Sequence, residues 1–291
     1  MPRILFFVSS NGVARNDHRA RLPAAFAAAG WTVEVKDHQS VRVDAGVLRA
    51  DAQALDAYDL IWLIGLGTRD TFLDRMQLLA SLDQRRFVTS PRALLEWHAK
   101  YHLMLGPFAA FHPESYASTD ARWLESRIAT GGKWILKPPG GSFGQDVYVV
   151  TRDDPNLHVI LDSLTGHDGS RFCVLQRFVE AITAGEKRVL LANGHVIGAY
   201  LRRPTRDHRV NLANHGAPER TTLTIAETAL ATRIGAHLAA NGARFVAIDL
   251  VYPHVIEFNL ANPGGLETLE HLTGEDPAPR VVAALARAQV S

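Results

Sequence analysis

Unbroken apolar runs recur through the first hundred positions of the chain. Ile4-Leu5-Phe6-Phe7-Val8 ends in Ser9-Ser10-Asn11-Gly12, residues 60–64 and the short Phe87-Val88-Thr89 repeat the pattern, and residues 31–35 read as a further strand. Between them the apolar spacing takes a helical period over residues 17–29, stopped by Gly30, and over 70–83. Ser90-Pro91 supplies a cap and a first-turn proline for a further helix. Strands that are apolar on both faces and alternate with helices predict a parallel sheet covered on both sides.

The pattern changes after residue 100. Ser118-Thr119-Asp120 offers a cap for a helix reaching residue 128, Gly131-Gly132 ends it, and Trp134-Ile135-Leu136-Lys137 reads as a strand. Pro138-Pro139-Gly140-Gly141-Ser142-Phe143-Gly144 then leads into the strand Val147-Tyr148-Val149-Val150. Strand, glycine-rich turn, strand is not a P-loop, which needs a following helix and Gly-Lys-Ser/Thr. Its glycines suit a phosphate cradle or an ordinary hairpin connection. Similarly, Gly65-Leu66-Gly67 lacks the third glycine of a dinucleotide fingerprint. Residues 189–192 and 195–197 flank Asn193-Gly194, a hairpin with a type I′ turn. Residues 201–219 are polar and arginine-rich, long for a loop, which predicts a mobile functional segment at 203–216. Thr224 caps a helix to about residue 240, and an amphipathic helix closes the chain at 277–289.

The stretch 245–265, FVAIDLVYPHVIEFNLANPGG, carries the first candidate chemistry. Folded about Tyr252-Pro253-His254, it is a hairpin with Asp249 opposite Glu257, and Glu257 and Asn259 on one face. Opposed carboxylates repel, the more so among apolar neighbours, and a divalent cation would remove the conflict. Oxygen donors from Asp, Glu and Asn suit Mg²⁺ or Mn²⁺. The alternative is a solvated polar face on an edge hairpin.

Composition narrows the classes. A chain of 291 residues, 47% apolar and 21% charged, is expected to fold as a soluble protein of about two domains. A net charge of +1 gives no global field for nucleic acid or anionic membrane. The single cysteine, Cys173, lies in an apolar run and reads as a buried thiol. The first apolar run is too short for a signal-peptide core, and no run approaches the ~18 residues of a membrane span. These features predict a cytoplasmic protein with no membrane or nucleic-acid partner.

Taken in order, the motifs resemble the ATP-grasp superfamily, and most closely bacterial glutathione synthetases. They are Lys100, Lys137 beside the glycine turn, Gln176-Arg177-Phe178-Val179, Gly185-Glu186-Lys187-Arg188, Arg209-x-Asn211 and Asp249 with Glu257 and Asn259. The resemblance spans about residues 89–272. It implies an α/β fold (α+β in the second half): an N-terminal parallel α/β domain at 1–98, then an ATP-grasp fold of two subdomains at 99–174 and 175–291. It also implies ATP and Mg²⁺ (or Mn²⁺) as cofactors, with small-molecule acid and amine substrates, and leaves a homo-oligomer open. Lys100, Lys137, Gly140, Gly141 and Gly144 would then hold phosphates. The backbone of Gln176, Arg177, Phe178 and Val179 would bind the adenine edge. Asp249, Glu257 and Asn259 would hold the metal, and Arg188, Arg209 and Asn211 would form the catalytic set around an acyl phosphate. Guanidinium groups suit phosphate oxygens; a surface ion pair is the alternative for each arginine.

The expected activity is ADP-forming carboxylate–amine ligation, with γ-glutamylcysteine and glycine as the first candidate pair. A ligase for another amino acid or peptide, a small-molecule kinase and a non-catalytic nucleotide-binding module are the competing readings. The chain departs from the glutathione branch where substrate would bind. Residues 65–72 lack the Arg-x-Asp-Pro-Pro-Phe-Asp motif, residues 204–216 carry only Gly216, and Asn262-Pro263-Gly264-Gly265 differs from that branch.

Overall fold

Burial along the first strand follows directly from its composition: Ile4, Leu5, Phe6 and Phe7 are all fully buried. The computed structural model describes residues 1–9, 18–140, 146–204 and 217–286. β1 (Arg3–Val8), α1 (His18–Ala28) and β2 (Thr32–Asp37) open the fold. Three short strands, β3 (Val41–Asp44), β4 (Val47–Ala50) and β5 (Gln53–Ala54), precede β6 (Leu60–Leu63). β2, β1 and β6 form the predicted parallel sheet in that order. Its alternate side chains enter different cores, Leu5 and Phe7 on one face, Ile4 and Phe6 on the other. The antiparallel β3-β4-β5 sheet was not legible from the pattern. Its tight turn uses Ala45 and Gly46, both at positive φ, and Ala-Gly is not a strong turn signature.

Phe87-Val88-Thr89 is not the predicted fourth strand. Phe87 makes one parallel bridge to Ile61, and Thr89 one antiparallel bridge to Ala243. The segment therefore joins the parallel sheet to the C-terminal half. It stops because Ser90 caps α3 (Pro91–Trp97), its hydroxyl accepting from the Ala93 amide at 3.1 Å. The helix expected over 70–83 is shorter, α2 (Phe72–Leu79). α4 (Tyr101–Leu105) follows α3.

The middle of the chain has its own core. β7 (Ser115–Ser118), α5 (Ala121–Ile128), β8 (Trp134–Lys137), β9 (Tyr148–Val150), α6 (Leu157–Thr165) and β10 (Cys173–Arg177) form it. The antiparallel strands lie in the order β7-β10-β8-β9. Leu124 and Ile128 from α5 and Leu161 from α6 pack on Trp134, Leu136 and Leu175. Asp120 caps α5 by accepting from the Trp123 amide. Cys173 is buried there, its thiol pushed up to about 12 by desolvation, which suits a packing role.

The last third supplies the antiparallel sheet: β11 (Glu186–Ala192), β12 (His195–Arg203) and β13 (Ala217–Arg220), then α7 (Ile225–Ala240), β14 (Phe245–Val251), β15 (His254–Asn259), α8 (Leu266–Thr273) and α9 (Ala278–Ala286). Its strand order is β13-β12-β11-β14-β15. Asn193 and Gly194 both take positive φ, as the type I′ turn requires. Thr224 and Glu227 form a capping box at α7. The polar stretch 201–219 is less of a loop than expected, because β12 runs through Arg203 and β13 starts at Ala217. Residues 205–216, with Arg209 and Asn211, lie outside the described residues, as do Gly141 and Gly144.

Both faces of β14 are covered. Val246, Ile248 and Leu250 join Leu5, Phe7 and Val189 in one core; Phe245 and Ala247 join Ile4, Phe6 and Trp62 in the other. Asp249 continues the row of Phe245 and Ala247, so sheet geometry alone carries a carboxylate into the interior.

Candidate functional site

The β14–β15 hairpin pairs Asp249 with Glu257 and Ala247 with Asn259. A two-residue turn at Tyr252-Pro253 would by itself put Ile256 opposite Asp249. The register shifts between Asp249 and Leu250, where Leu250 pairs with Val255. Ile256 is the extra residue, and this bulge turns Glu257 to the Asp249 face. Asp249 sits on an interior strand and is 3% exposed, which rules out the solvated-face reading for it. Glu257, on the edge strand, has a side chain 31% exposed.

Both opposed carboxylates have protein cations beside them. Arg188 binds Asp249 bidentately, Nε to Oδ1 at 2.9 Å and Nη2 to Oδ2 at 2.8 Å. Arg202 Nη2 lies 3.0 Å from Asp249 Oδ2, and Asn259 Nδ2 donates to the same oxygen at 3.1 Å. Lys100 Nζ stands 3.0 Å from Glu257 Oε1 and donates to the Pro139 carbonyl at 3.2 Å. Arg188 also donates through Nη1 to the Pro263 carbonyl at 2.9 Å, tying the Asn262-Pro263-Gly264-Gly265 segment to the cluster. Among the described residues no group of three His, Cys, Asp or Glu side chains is placed to hold a metal.

Arg202 was missed by the sequence reading. It is 3% exposed and shared between Asp249 and Glu186, with its Nη2 in a short contact to Glu186 Oε2. Straight continuation of the Asn193-Gly194 hairpin would face Glu186 with Leu201. A second register shift, between Leu190 and Leu191, brings Arg202 opposite instead. The two carboxylates part in acidity. Burial opposes ionisation of Asp249, but Arg188 and Arg202 outweigh it and hold the carboxyl well below the usual range. Burial, with the charge of Asp249, pushes Glu186 up to about 7 despite Arg202.

A raised carboxyl pKa makes a stability contribution that is complete below the unfolded value and lost as pH rises through about 7. Glu186→Gln is therefore expected to flatten the fall in stability between pH 5 and 8, by on the order of 1–3 kcal/mol. Urea unfolding of parent and variant at both pH values checks this; parallel pH profiles would refute it.

A second cluster begins at the end of β8. Lys137 is 6% exposed, and its ammonium donates to Gln176 Oε1 at 2.7 Å. Burial, aided by the nearby charge of Lys100, draws it down to about 8, against the pull of Glu257, Glu186 and Asp249. These three carboxylates link the lysine electrostatically to the hairpin cluster. Gly140 lies in the turn that follows Lys137, and a Cβ there would meet no atom of the described residues within 4 Å.

The segment after β10 is partly committed to the protein. The amides of Arg177 and Phe178 donate to the carbonyls of Glu114 and Lys133. The Arg177 guanidinium lies 3.6 Å from the Trp134 ring centroid and pairs with Glu114. The amide of Val179 donates to no protein carbonyl among the described residues.

The architecture is that of the ATP-grasp enzymes. The ATP-grasp ligase PsnB, in complex with its minimal precursor, has the same fold at a TM-score of 0.72, with 16% identity and 99% of each chain covered. Within that class, the chain belongs to the prokaryotic glutathione synthetase ATP-grasp family, whose sequence profile matches residues 101–274. It is 32% identical over 222 residues to glutathione synthetase from Citrobacter rodentium, covering 75% of this chain and 70% of that protein. It is 34% identical over 186 residues to glutathione synthetase from Xanthomonas campestris, and that match spans 63% of this chain but only 58% of the relative. No helix among the described residues is long and apolar enough to cross a membrane.

Proposed function

We propose that this chain is an ATP-dependent, ADP-forming carboxylate–amine ligase that works through an acyl phosphate. The observation carrying this reading is the meeting of two buried lysines, the largely buried Arg188, the buried Arg202 and the opposed pair Asp249 and Glu257 at one site, in a chain of this family. Phosphoryl transfer needs charge neutralisation and positioning more than covalent catalysis, and this inventory supplies both. Lys100 and Lys137 would hold the ATP phosphates, with Gly140, Gly141 and Gly144 above them and the Val179 amide on the adenine edge. The separate core beneath Lys137 and Gln176 supports reading this part as the small ATP-grasp subdomain.

Asp249, Glu257 and Asn259 fit a Mg²⁺ or Mn²⁺ site. Two carboxylates and an amide oxygen are hard donors, and Mg²⁺ commonly takes one or two protein carboxylates with phosphates completing its shell. When bound, the metal would supply charge neutralisation at the phosphates. Arg188 would orient the acyl phosphate together with Arg209 and Asn211. Arg202, held between Asp249 and Glu186, would keep the field at that position positive.

γ-Glutamylcysteine and glycine are the first substrates to test. One observation favours a different acid. Where the glutathione branch carries its dipeptide-binding motif, Arg75 here holds the loop from within, donating to the carbonyls of Leu66 and Thr68 and to Thr71 Oγ1. Mass spectrometry of products from γ-glutamylcysteine, glycine, ATP and Mg²⁺ decides the pair. Tripeptide is the outcome for glutathione formation. ADP release with another acid and amine, without tripeptide, retires that pair and keeps the ligase. No amine-dependent ADP release with any acid would end the ligase reading.

A further inference from the structure

His112 is buried beside this site and has no part in the roles above. Its backbone is set locally. It closes the turn Ala109–Phe111, its amide donating to the Ala109 carbonyl at 3.0 Å. The next residue is Pro113, which disfavours helix at position 112, and His112 takes φ −92° and ψ 140°. The ring then lies between two strands. Nδ1 is 2.9 Å from the carbonyl oxygen of Val255 in β15, and Nε2 is 3.1 Å from Gln176 Nε2 in β10.

These contacts determine every proton in the chain. A carbonyl oxygen only accepts, so Nδ1 carries the hydrogen. Nε2 of the neutral ring is then an acceptor, and it takes a hydrogen from the Gln176 amide nitrogen. The Gln176 oxygen is thereby turned to Lys137, whose ammonium donates to it at 2.7 Å. Reversing the Gln176 amide would aim an NH₂ group at the lysine and an oxygen at the imidazole lone pair. Burial, with the positive charges of Lys137 and Lys100, pushes His112 down to about 4, so the ring stays neutral at ordinary pH.

We propose that His112 is a positioning residue that locks the Gln176 amide and, through it, aims the Lys137 ammonium at the nucleotide phosphates. The same ring ties Lys137 to β15 two residues before Glu257, so the lysine and the carboxylate hairpin are held to one geometry. The inference rests on Lys137 being a phosphate-binding lysine.

Two substitutions separate aiming from packing. His112→Asn keeps a donor near the Nδ1 position for Val255 but offers Gln176 nothing. His112→Gln offers an oxygen near the Nε2 position. Calorimetric titration of the full-length proteins with ATP and Mg²⁺ is the readout. His112→Asn is expected to bind roughly tenfold more weakly, the effect of one mispaired buried hydrogen bond. His112→Gln is expected to stay within about threefold of the parent. Proton–nitrogen correlation spectra of the nucleotide-free parent should show His112 protonated at Nδ1. Parent-like binding by His112→Asn, equal loss in both variants with equal loss of thermal stability, or a ring protonated at Nε2 would each overturn the proposal. A parent that binds no ATP would instead overturn the lysine assignment beneath it, and the proposal with it.

Discussion

Asp249→Ala is expected to abolish turnover and to destabilise the nucleotide-free protein. The Asp249 carboxylate is the shared partner of Arg188 and Arg202, and it accepts from Asn259 as well. Removing it strands two guanidinium groups in the interior. Breaking a buried ion pair from one side typically costs about 3–5 kcal/mol. Arg202 retains Glu186 and Arg188 retains the Pro263 carbonyl, which places the expected loss at the lower end. With the Asp249 charge gone, Glu186 should ionise more readily, and the pH dependence of stability should shrink. The chemical loss is separate, because the variant also lacks a proposed metal carboxylate. A fall of at least about 10³ in kcat is expected for removing such charge stabilisation. Glu257→Ala should share the catalytic loss without the structural one, since Glu257 lies at the edge and, among the described residues, has only Lys100 as its ion-pair partner. ADP release at limiting Mg²⁺ and urea unfolding, measured on both variants, give the comparison. Normal turnover in either would remove that residue from the metal site.

Lys137→Met is expected to weaken ATP binding roughly a hundredfold while making the nucleotide-free protein more stable at pH 7. The direction of the stability change follows from titration. A lysine depressed from 10.5 to about 8 on folding disfavours its own charged form in the folded state. The unfolded chain then binds more protons between those values, so stability rises with pH there and is lost as pH falls through about 8. At pH 7 the parent carries the full cost of the buried charge, and methionine of similar length removes it. The gain is reduced because Gln176 Oε1 loses its donor. A residue that costs stability and is still present is what a binding site of this kind predicts. Calorimetry with ATP and thermal unfolding without it test both halves. Unchanged ATP affinity would refute the phosphate role, and lower stability would refute the account of the buried charge.

Much of the framework was legible from pattern alone. Ile4 to Val8 had to be a covered parallel strand because every position is apolar. Asn193-Gly194 had to be a tight turn because both residues tolerate positive φ. Thr224, Asp120 and Ser90 marked helix starts because their side chains satisfy amides that the first turn leaves open. The ordered motifs around Lys100, Lys137, Arg188 and Asp249 were enough to suggest the ATP-grasp fold. The extent of the polar loop and the shortness of 87–89 were misjudged for one reason: pairing partners distant in sequence extended or truncated the local preference.

The site itself depended on contacts that no local pattern encodes. Alternation along a strand says which residues share a face, but a single bulge exchanges the faces beyond it. One bulge brings Glu257 to Asp249, and another brings Arg202 to Glu186. Sequence determined that carboxylates, guanidinium groups and ammonium groups of opposite charge were available on these strands. Only the tertiary structure decided that Arg188 and Arg202 share Asp249, that Lys100 reaches Glu257 across 157 positions of chain, and that His112 stands between Val255 and Gln176. Close contact between distant segments is a property of packing, and it is packing that makes these charges tolerable in the interior.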